Sequence, residues 1–361
     1  MKKIVGILAA AALAASVFAV DFTAGMQLKG ELFKYDGTSQ AITGMKLSHA
    51  NTKDDKPFVF SLSTDRVGGQ LKMFDGQLDV IDSVSATAAT TSPTAGTYTT
   101  TVTATKTTKK ADAMIPAAWQ IWFKPFDQVK VELGNTSFGM NTETITYWEG
   151  KVLGTADWGW KATATFDAFQ VGAGLFAGNG ENWFSVPNGG QASIGETAFW
   201  AQYSADFGTI KVLGQFKNTF KEDNFAVGYN NKFGDISIFT DAAILLNNSG
   251  ATSTTGLKAD FDIAYAKDAI SVQAYAMLGI ANFNNVKPTL MTKFKAAYAL
   301  NGGSLYFKFQ DGNIMADNFA ANFEVGYDGN LGAMAYNVAG QIDLANNKVN
   351  FTVPVSFKLS F

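Results

Sequence analysis

The chain contains 361 residues, of which 47% are hydrophobic, 13% aromatic and only 16% charged. It has no cysteine, which excludes disulfides and thiolate metal sites, and its formal net charge of −3 offers no basic surface for nucleic acid. His49 is the single histidine, so a multi-histidine zinc or haem site is also excluded.

The N-terminal residues have the pattern of a secretory signal peptide. Two lysines precede an apolar run over residues 4–15, and small residues lead to a predicted cleavage after Ala19. The run is too short to span a membrane as a helix, and a chain without cysteine offers no lipidation site at the new terminus. We therefore predict a signal peptide over 1–19 and an exported domain over 20–361.

From residue 22 onward, apolar and polar residues alternate with a period of two, which is typical of β-strands, and no amphipathic helix interrupts them. Within 22–83 the pattern predicts three strands, or five if "ITGMKLSH" is a strand and Asp75-Gly76 a turn. The three predicted strands are "FTAGMQLKGELF", "PFVFSLST" and "GQLKMFDGQLDVI".

The segment 84–112 is dominated by threonine and alanine. This composition predicts a long loop, either mobile or extended as a hairpin with "SPTAG" as its turn. A loop that folds back into the protein is a further alternative.

Fifteen strands are predicted between about Ile115 and Phe361. Their runs are about 9 to 12 residues long, which is the length that a tilted strand needs to cross a bilayer and exceeds the usual length in soluble sandwiches. Short and long connections alternate. The short ones are 124–128, 206–209, 266–268, 301–303 and 328–330, and the long ones are 84–112, 139–157, 178–195 and 247–255.

These features predict an all-β fold, a transmembrane antiparallel up-and-down β-barrel of about 18 strands, with 16 to 20 compatible. Its short turns are expected at the periplasmic end and its longer loops, including 84–112, outside the cell. A soluble secreted β-sandwich is the alternative. Strands entering short turns tend to end on an aromatic residue, which predicts an interfacial girdle. Its members are Phe123, Phe166, Phe207, Tyr229, Tyr265, Tyr327 and Phe361.

Sequence signals for catalysis or a cofactor are weak. Gly172, Gly174 and Ala177 match part of a dinucleotide-binding fingerprint, but the strand–helix context that gives the motif its chemistry is missing. No GxSxG nucleophile motif occurs, and His49 lies near a predicted loop. We therefore predict that the protein is not an enzyme and uses no cofactor or catalytic metal. Tryptophans in the predicted outer loops leave saccharide recognition open.

Charged residues fall on the polar side of the predicted strands. A lysine facing lipid at the bilayer midplane costs about 2–4 kcal/mol, so these residues are expected to line a hydrated pore. They comprise ten lysines and six acids, which predicts weak anion preference or none; solvated positions without selectivity are the alternative. The set is Lys29, Glu31, Lys130, Glu132, Lys161, Lys211, Lys217, Asp241, Lys258, Asp260, Asp262, Lys293, Lys295, Lys308, Glu324 and Lys358.

The last residues, "VSFKLSF", resemble the insertion signal of bacterial outer-membrane barrels, with Val355, Phe357, Leu359 and Phe361 at every second position. Pro354 departs from an ideal terminal strand because it donates no ladder hydrogen bond, so a bulge is expected there. The hairpin "WQIWFKPFDQVKVELG" is similar to one in porin-like proteins of spirochaetes, and the chain as a whole resembles porin-type proteins.

The resemblance implies passive diffusion of small hydrophilic solutes or ions through an outer-membrane porin of a Gram-negative-type (diderm) bacterium. It also implies contact with outer-membrane lipid and insertion by the barrel-assembly machinery. Many porins are trimers, so the resemblance makes a homotrimer one possible assembly, but no interface can be read from the residues and the oligomeric state stays open. The alternative is an adhesin or surface-display barrel that binds a partner through its outer loops, above all 84–112.

Overall fold

The computed structural model describes residues 21–360 except for 45, 50–57, 92–98, 141–151, 178–183, 186–192, 218–219, 249, 251, 318–319 and 346–347. The predicted signal peptide and Phe361 lie outside these residues. In the part of the chain that is described, no helix is long and apolar enough to cross a membrane.

The described chain is built from β-strands. They are β1 (Asp21–Asp36), β2 (Ala41–Thr43), β3 (Lys46–His49), β4 (Phe58–Ser63), β5 (Val67–Thr91), β6 (Thr99–Phe126), β7 (Val129–Gly139), β8 (Gly154–Phe166), β9 (Phe169–Phe176), β10 (Phe184–Ser185), β11 (Ser193–Ile194), β12 (Glu196–Ala205), β13 (Gly208–Lys217), β14 (Glu222–Phe233), β15 (Ile236–Asn247), β16 (Thr254–Lys267), β17 (Ile270–Ile280), β18 (Pro288–Leu300), β19 (Gly303–Asp311), β20 (Ala320–Leu331), β21 (Met334–Ala345) and β22 (Lys348–Ser360).

These strands form a closed antiparallel barrel of 18 strand positions, as the sequence predicts. Each of the 18 positions in the wall pairs with the next position along the chain, and β1 pairs with β22 to close the sheet. The short strands β2, β3 and β4 follow one another along β1 and together fill one position, while β10 and β11 form a separate small hairpin. Asp75-Gly76 lies inside β5, so the turn predicted there is wrong. Residues of "ITGMKLSH" do form strand, in β2 and β3, so 22–83 matches neither alternative in full, although its strands fill three positions of the barrel.

All eight described turns at one end of the barrel contain two or three residues. Several use a residue with positive φ, among them Gly234 (61°) and Gly302 (84°), which fits the tight turns that join twisted strands. The predicted turn at 328–330 is wrong, because Gly329 lies within β20, where a Cβ would meet the Tyr336 ring at 2.3 Å. The turns are 64–66, 127–128, 167–168, 206–207, 234–235, 268–269, 301–302 and 332–333.

Apolar and acidic side chains alternate between the two faces of the barrel wall. On β16, Phe261 is 44% exposed and Ile263 37%, whereas Asp260 and Asp262 are 3% and 2% exposed. Phe166, a predicted girdle residue, is likewise well exposed. Such an arrangement is the reverse of a soluble sheet, whose buried face is apolar, and it fits a barrel surrounded by lipid.

The seam between β1 and β22 is irregular at Pro354, where the sequence predicts a bulge. The register shifts between Glu31 and Phe33, directly opposite Pro354 and Val353. This is a bulge in which Leu32 is the extra residue on β1. The ladder therefore accommodates a proline without a donor in its closing strand.

Strands β5 and β6 continue beyond their neighbours as a two-stranded structure, which we call the ribbon and define as residues 74–91 and 99–115. Pairing of β4 with β5 ends at Met73, and pairing of β6 with β7 ends at Gln120. Among the described strands, none pairs with either outer edge of the ribbon. Most of the predicted loop 84–112 is thus an extended hairpin.

Candidate functional site

The described ends of the connection between β7 and β8, which we call the inward segment, lie inside the barrel. Met140, Val152 and Leu153 are described and buried, and 141–151 fall outside the described residues. They pack against β12 to β15, which are not neighbours of β7 in the sheet, so these contacts cross the barrel interior. The interior cluster comprises Phe138, Met140, Val152, Leu153, Phe176, Ala198, Trp200, Leu213, Ala226 and Ala243.

Aromatic rings fix the geometry of the interior cluster. The ring of Phe138 lies 4.8 Å from that of Phe176 and 6.2 Å from that of Trp200, and the planes of the latter pair are only 2° apart. A Cβ at Gly172 would lie 2.0 Å from the Trp200 ring, and one at Gly174 would lie 2.6 Å from Phe176. The glycines that partly match a nucleotide motif are therefore strand residues that leave space for these rings.

Replacing Gly172 with alanine should destabilise the barrel, because the new methyl group forces Trp200 out of its stack with Phe138. Overpacking of this kind costs about 1–3 kcal/mol. Gly340→Ala is the matched control, since its Cβ would lie 3.8 Å from Phe351, at ordinary contact distance. Urea unfolding in detergent should show a lower midpoint for Gly172→Ala alone; equal midpoints would contradict the stacking argument.

Lys211 on β13 ties the inward segment to the barrel wall. Its ammonium donates a hydrogen bond to the carbonyl oxygen of Gly139 and attracts the carboxylate of Asp241 on β15. Asp241 is 2% exposed, and neither of its carboxylate oxygens accepts a hydrogen bond from a described residue. The space above Gly228 is occupied by this carboxylate, beside the methyl group of Met140. The segment thus covers a buried acid.

Acidic and amide groups continue from Asp241 along β16 and β17. The backbone N–H of Asp241 donates to Asp260 Oδ1 at 2.9 Å, and the Tyr275 hydroxyl donates to Asp260 Oδ2 at 3.2 Å. Gln273 donates to both carboxylate oxygens of Asp262, at 3.0 and 2.8 Å. We call Asp241, Asp260 and Asp262 the acidic wall.

Two lysines lie close to Tyr306 on β18 and β19, which follow β17 in the sheet. The Lys308 ammonium lies 4.4 Å from the centre of the Tyr306 ring and 2.9 Å from Glu324 Oε1, and Lys295 lies 5.8 Å from the same ring. The Tyr306 hydroxyl donates to Glu324 Oε1 at 2.7 Å. Lys293 stacks in the same way on Tyr275, at 5.1 Å. We call Lys293, Lys295 and Lys308 the lysine wall.

Two further acids form ion pairs with lysines. Glu132 lies 3.3 Å from the ammonium of Lys130 and 2.8 Å from that of Lys161. Glu196 is 2% exposed and lies 3.6 Å from the ammonium of Lys217. In these ion pairs the acids are buried and the lysines are partly exposed, and each pair reduces the net charge that its side chains present.

Two cavities border these groups. The first, of about 450 Å³, opens between the inward segment and the long-loop ends of β13 to β18, and Lys217, Lys258 and Lys287 line it. The second, of about 480 Å³, lies at the β1–β22 seam and is lined by Lys29 and Glu31.

Several of the predicted charged residues therefore contact one another in small groups on neighbouring strands. Sequence reasoning missed Met140 and its neighbours, because nothing local marks a segment that turns inward. It also missed the roles of Tyr275 and Tyr306, although their places among Gln, Lys and Asp on the polar side of a strand were a usable signal. Within the described residues, no three histidine, aspartate or glutamate side chains are arranged to hold a metal ion.

Solved structures with the same architecture include three outer-membrane porins. OccK3 (OpdO) of Pseudomonas aeruginosa has a TM-score of 0.55 at 10% identity, over 94% of this chain and 96% of that one. OccK2 (OpdF) of the same species gives 0.54 at 8%, over 95% and 97%, and OccAB4 of Acinetobacter baumannii gives 0.53 at 11%, over 94% and 98%. The chain has the fold of these porins. Neither a protein-family model nor a curated protein sequence matches it.

Proposed function

We propose that the protein is an outer-membrane porin of a diderm bacterium, through which small hydrophilic solutes or ions diffuse passively. The observation that carries this proposal is the closed 18-strand barrel whose exposed face is apolar and whose charged side chains are turned the other way. Barrels of this size are wide enough to enclose an aqueous channel. The short turns then lie in the periplasm and the long loops outside the cell.

The charged residues predicted from the sequence are proposed to line this channel, together with Tyr275 and Tyr306. Support comes from the contacts of Lys211, which reaches Gly139 across the interior, and from the ladder that links Asp241 to Asp260 on the same face. The inward segment narrows the channel beside the acidic wall. A channel of this kind needs no catalytic chemistry, which agrees with a protein that is not an enzyme.

The remaining sequence expectations belong to the same proposal. Residues 1–19 direct export, and Val355, Phe357 and Leu359, with Phe361, present the insertion signal to the barrel-assembly machinery. Lipid covers the apolar face, and a homotrimer is the proposed assembly. The hairpin at 119–134 favours the spirochaete porin-like group.

Planar lipid bilayers test the porin proposal. Purified protein should insert in discrete steps of ionic conductance, with weak anion preference or none in reversal-potential measurements. An absence of conductance from correctly folded, heat-modifiable protein would remove the proposal. Strong cation selectivity would instead contradict the role given to the lysines.

A surface-display barrel is the second candidate, and the ribbon is the observation that favours it, because β5 and β6 stay paired for 18 residues beyond the part of β5 that pairs with β4. Shortening the ribbon separates the two. Retained conductance with loss of cell-surface binding would favour adhesion.

A further inference from the structure

The ribbon extends β5 and β6 beyond the barrel wall. Its outer part contains 18 residues of β5, from Phe74 to Thr91, which span roughly 60 Å at about 3.3 Å per residue. A two-stranded ribbon is only marginally stable in water, since it lacks a third strand or a covered face. The ribbon therefore needs further partners to be a defined structure.

Among the described residues, no strand pairs with either outer edge of the ribbon along this length. A free edge presents unpaired N–H and C=O groups, and natural proteins protect such edges with charge, proline or short strands. Residues 83–105 contain no charged residue at all. The paired parts, 83–91 and 99–105, consist only of serine, threonine, alanine and valine. The outer half of the ribbon therefore lacks the usual protection against edge-to-edge pairing.

The two edges run in opposite directions. Strand β5 leads from a short turn toward the long-loop end of the barrel, and β6 returns. Copies inserted in one membrane share an orientation and are related by rotation about the membrane normal. Side by side, the β5 edge of one copy is therefore antiparallel to the β6 edge of the next, the more stable pairing.

We propose that ribbons of neighbouring copies pair in this way into a closed ring, so that no edge stays open. The occupant of each edge is thus a second copy of this chain, and three copies give a ring of six strands. The proposal rests on the membrane orientation given under the proposed function. It assigns the contact between the copies of the proposed homotrimer to their ribbons.

Composition supports the ring. A six-stranded ring is narrower than an eight-stranded barrel, whose interior is just wide enough for side chains. Only small residues fit such a core, and the small residues of 83–91 and 99–105 meet this demand. In a closed ring of copies related by rotation, each ribbon pairs through both of its edges. In a dimer that pairs like edges about a two-fold axis, one edge of each ribbon stays open. A foreign strand would likewise fill one edge only.

The absence of native cysteine allows a direct test. Chains carrying Ala86→Cys on β5 and chains carrying Ala104→Cys on β6 are given different tags, coexpressed, and treated with a short bifunctional maleimide in the membrane. We expect mixed products at least tenfold more abundant than products of two like chains. Asp235→Cys, in a turn at the opposite end, should give none. Equal amounts of mixed and like products, or no product, would overturn the ring.

A second variant replaces 83–105 with Asn-Gly and keeps the barrel. Sedimentation in detergent should show loss of the trimer, while heat-modifiable mobility and conductance stay as in the parent protein. A trimer that persists would mean that copies associate through the wall, and the proposal would fail. Loss of conductance from the full-length protein would count against the porin proposal and leave the crosslinking result interpretable.

Discussion

Replacing residues 140–153 with Asn-Gly is expected to raise single-channel conductance. Gly139 and Gly154 are directly paired, so a two-residue turn can join β7 to β8 without disturbing the ladder. The variant removes Met140, Val152 and Leu153 from the interior, and a wider water-filled cross-section should increase conductance about twofold or more. Planar-bilayer recordings at fixed salt measure the change.

The matched control is the variant that shortens the ribbon, which removes residues outside the wall and should leave single-channel conductance unchanged. A milder change, Met140→Ser with Leu153→Ser, weakens the apolar contacts of the inward segment without shortening it. We expect this variant to show noisier open-channel current. Unchanged conductance after removal of 140–153 would mean that the segment does not narrow the path.

The second large effect concerns ion preference. Lys258→Gln with Lys295→Gln removes two positive charges, one at the long-loop cavity and one on the lysine wall. At about 10 Å in water each charge contributes about 0.4 kcal/mol to the energy of a passing ion, so the pair should change anion entry about fourfold. Reversal potentials in a low-salt gradient should move toward cation preference.

Lys267→Gln serves as the control, because this lysine is 58% exposed beside a short turn and pairs with Asp235. Asp262→Asn should move the preference the opposite way, toward anions, while keeping an oxygen for Gln273. At 1 M salt the shifts should largely disappear, since the screening length falls to about 3 Å. An identical shift in the control would show that surface charge, rather than the interior, sets the preference.

The fold was largely predictable because apolar and polar residues alternate along the whole of a strand that has one side facing lipid. Strand number followed from counting these runs between turns, and the closing irregularity followed from Pro354, whose missing donor is visible in the sequence. The turn after β20 was misplaced because Asp328-Gly329 is a strong local turn signal. Here the glycine instead leaves space for Tyr336, a contact that exists only once the strands have paired.

The site was predictable only as a set of charged residues. Which of them meet depends on register and closure: Lys308 reaches Glu324 because their strands pair in that register. The inward segment depends on contacts with β12 to β15, which are distant in sequence and brought together by the ring of strands. No short pattern records such a contact.

The bulge at Leu32 gives β1 one residue more than its pairing with β22 requires. On β1, Gln27 and Lys29 lie opposite Lys358 and Ser356, and beyond the bulge Lys34 continues the same row opposite Thr352. Deleting Leu32 would restore an unbroken alternation and keep each neighbouring side chain on its present face. Length variation is therefore tolerated at this point of the barrel, whereas the loss of one residue from the middle of β22 would require a compensating bulge elsewhere or turn charged residues toward lipid.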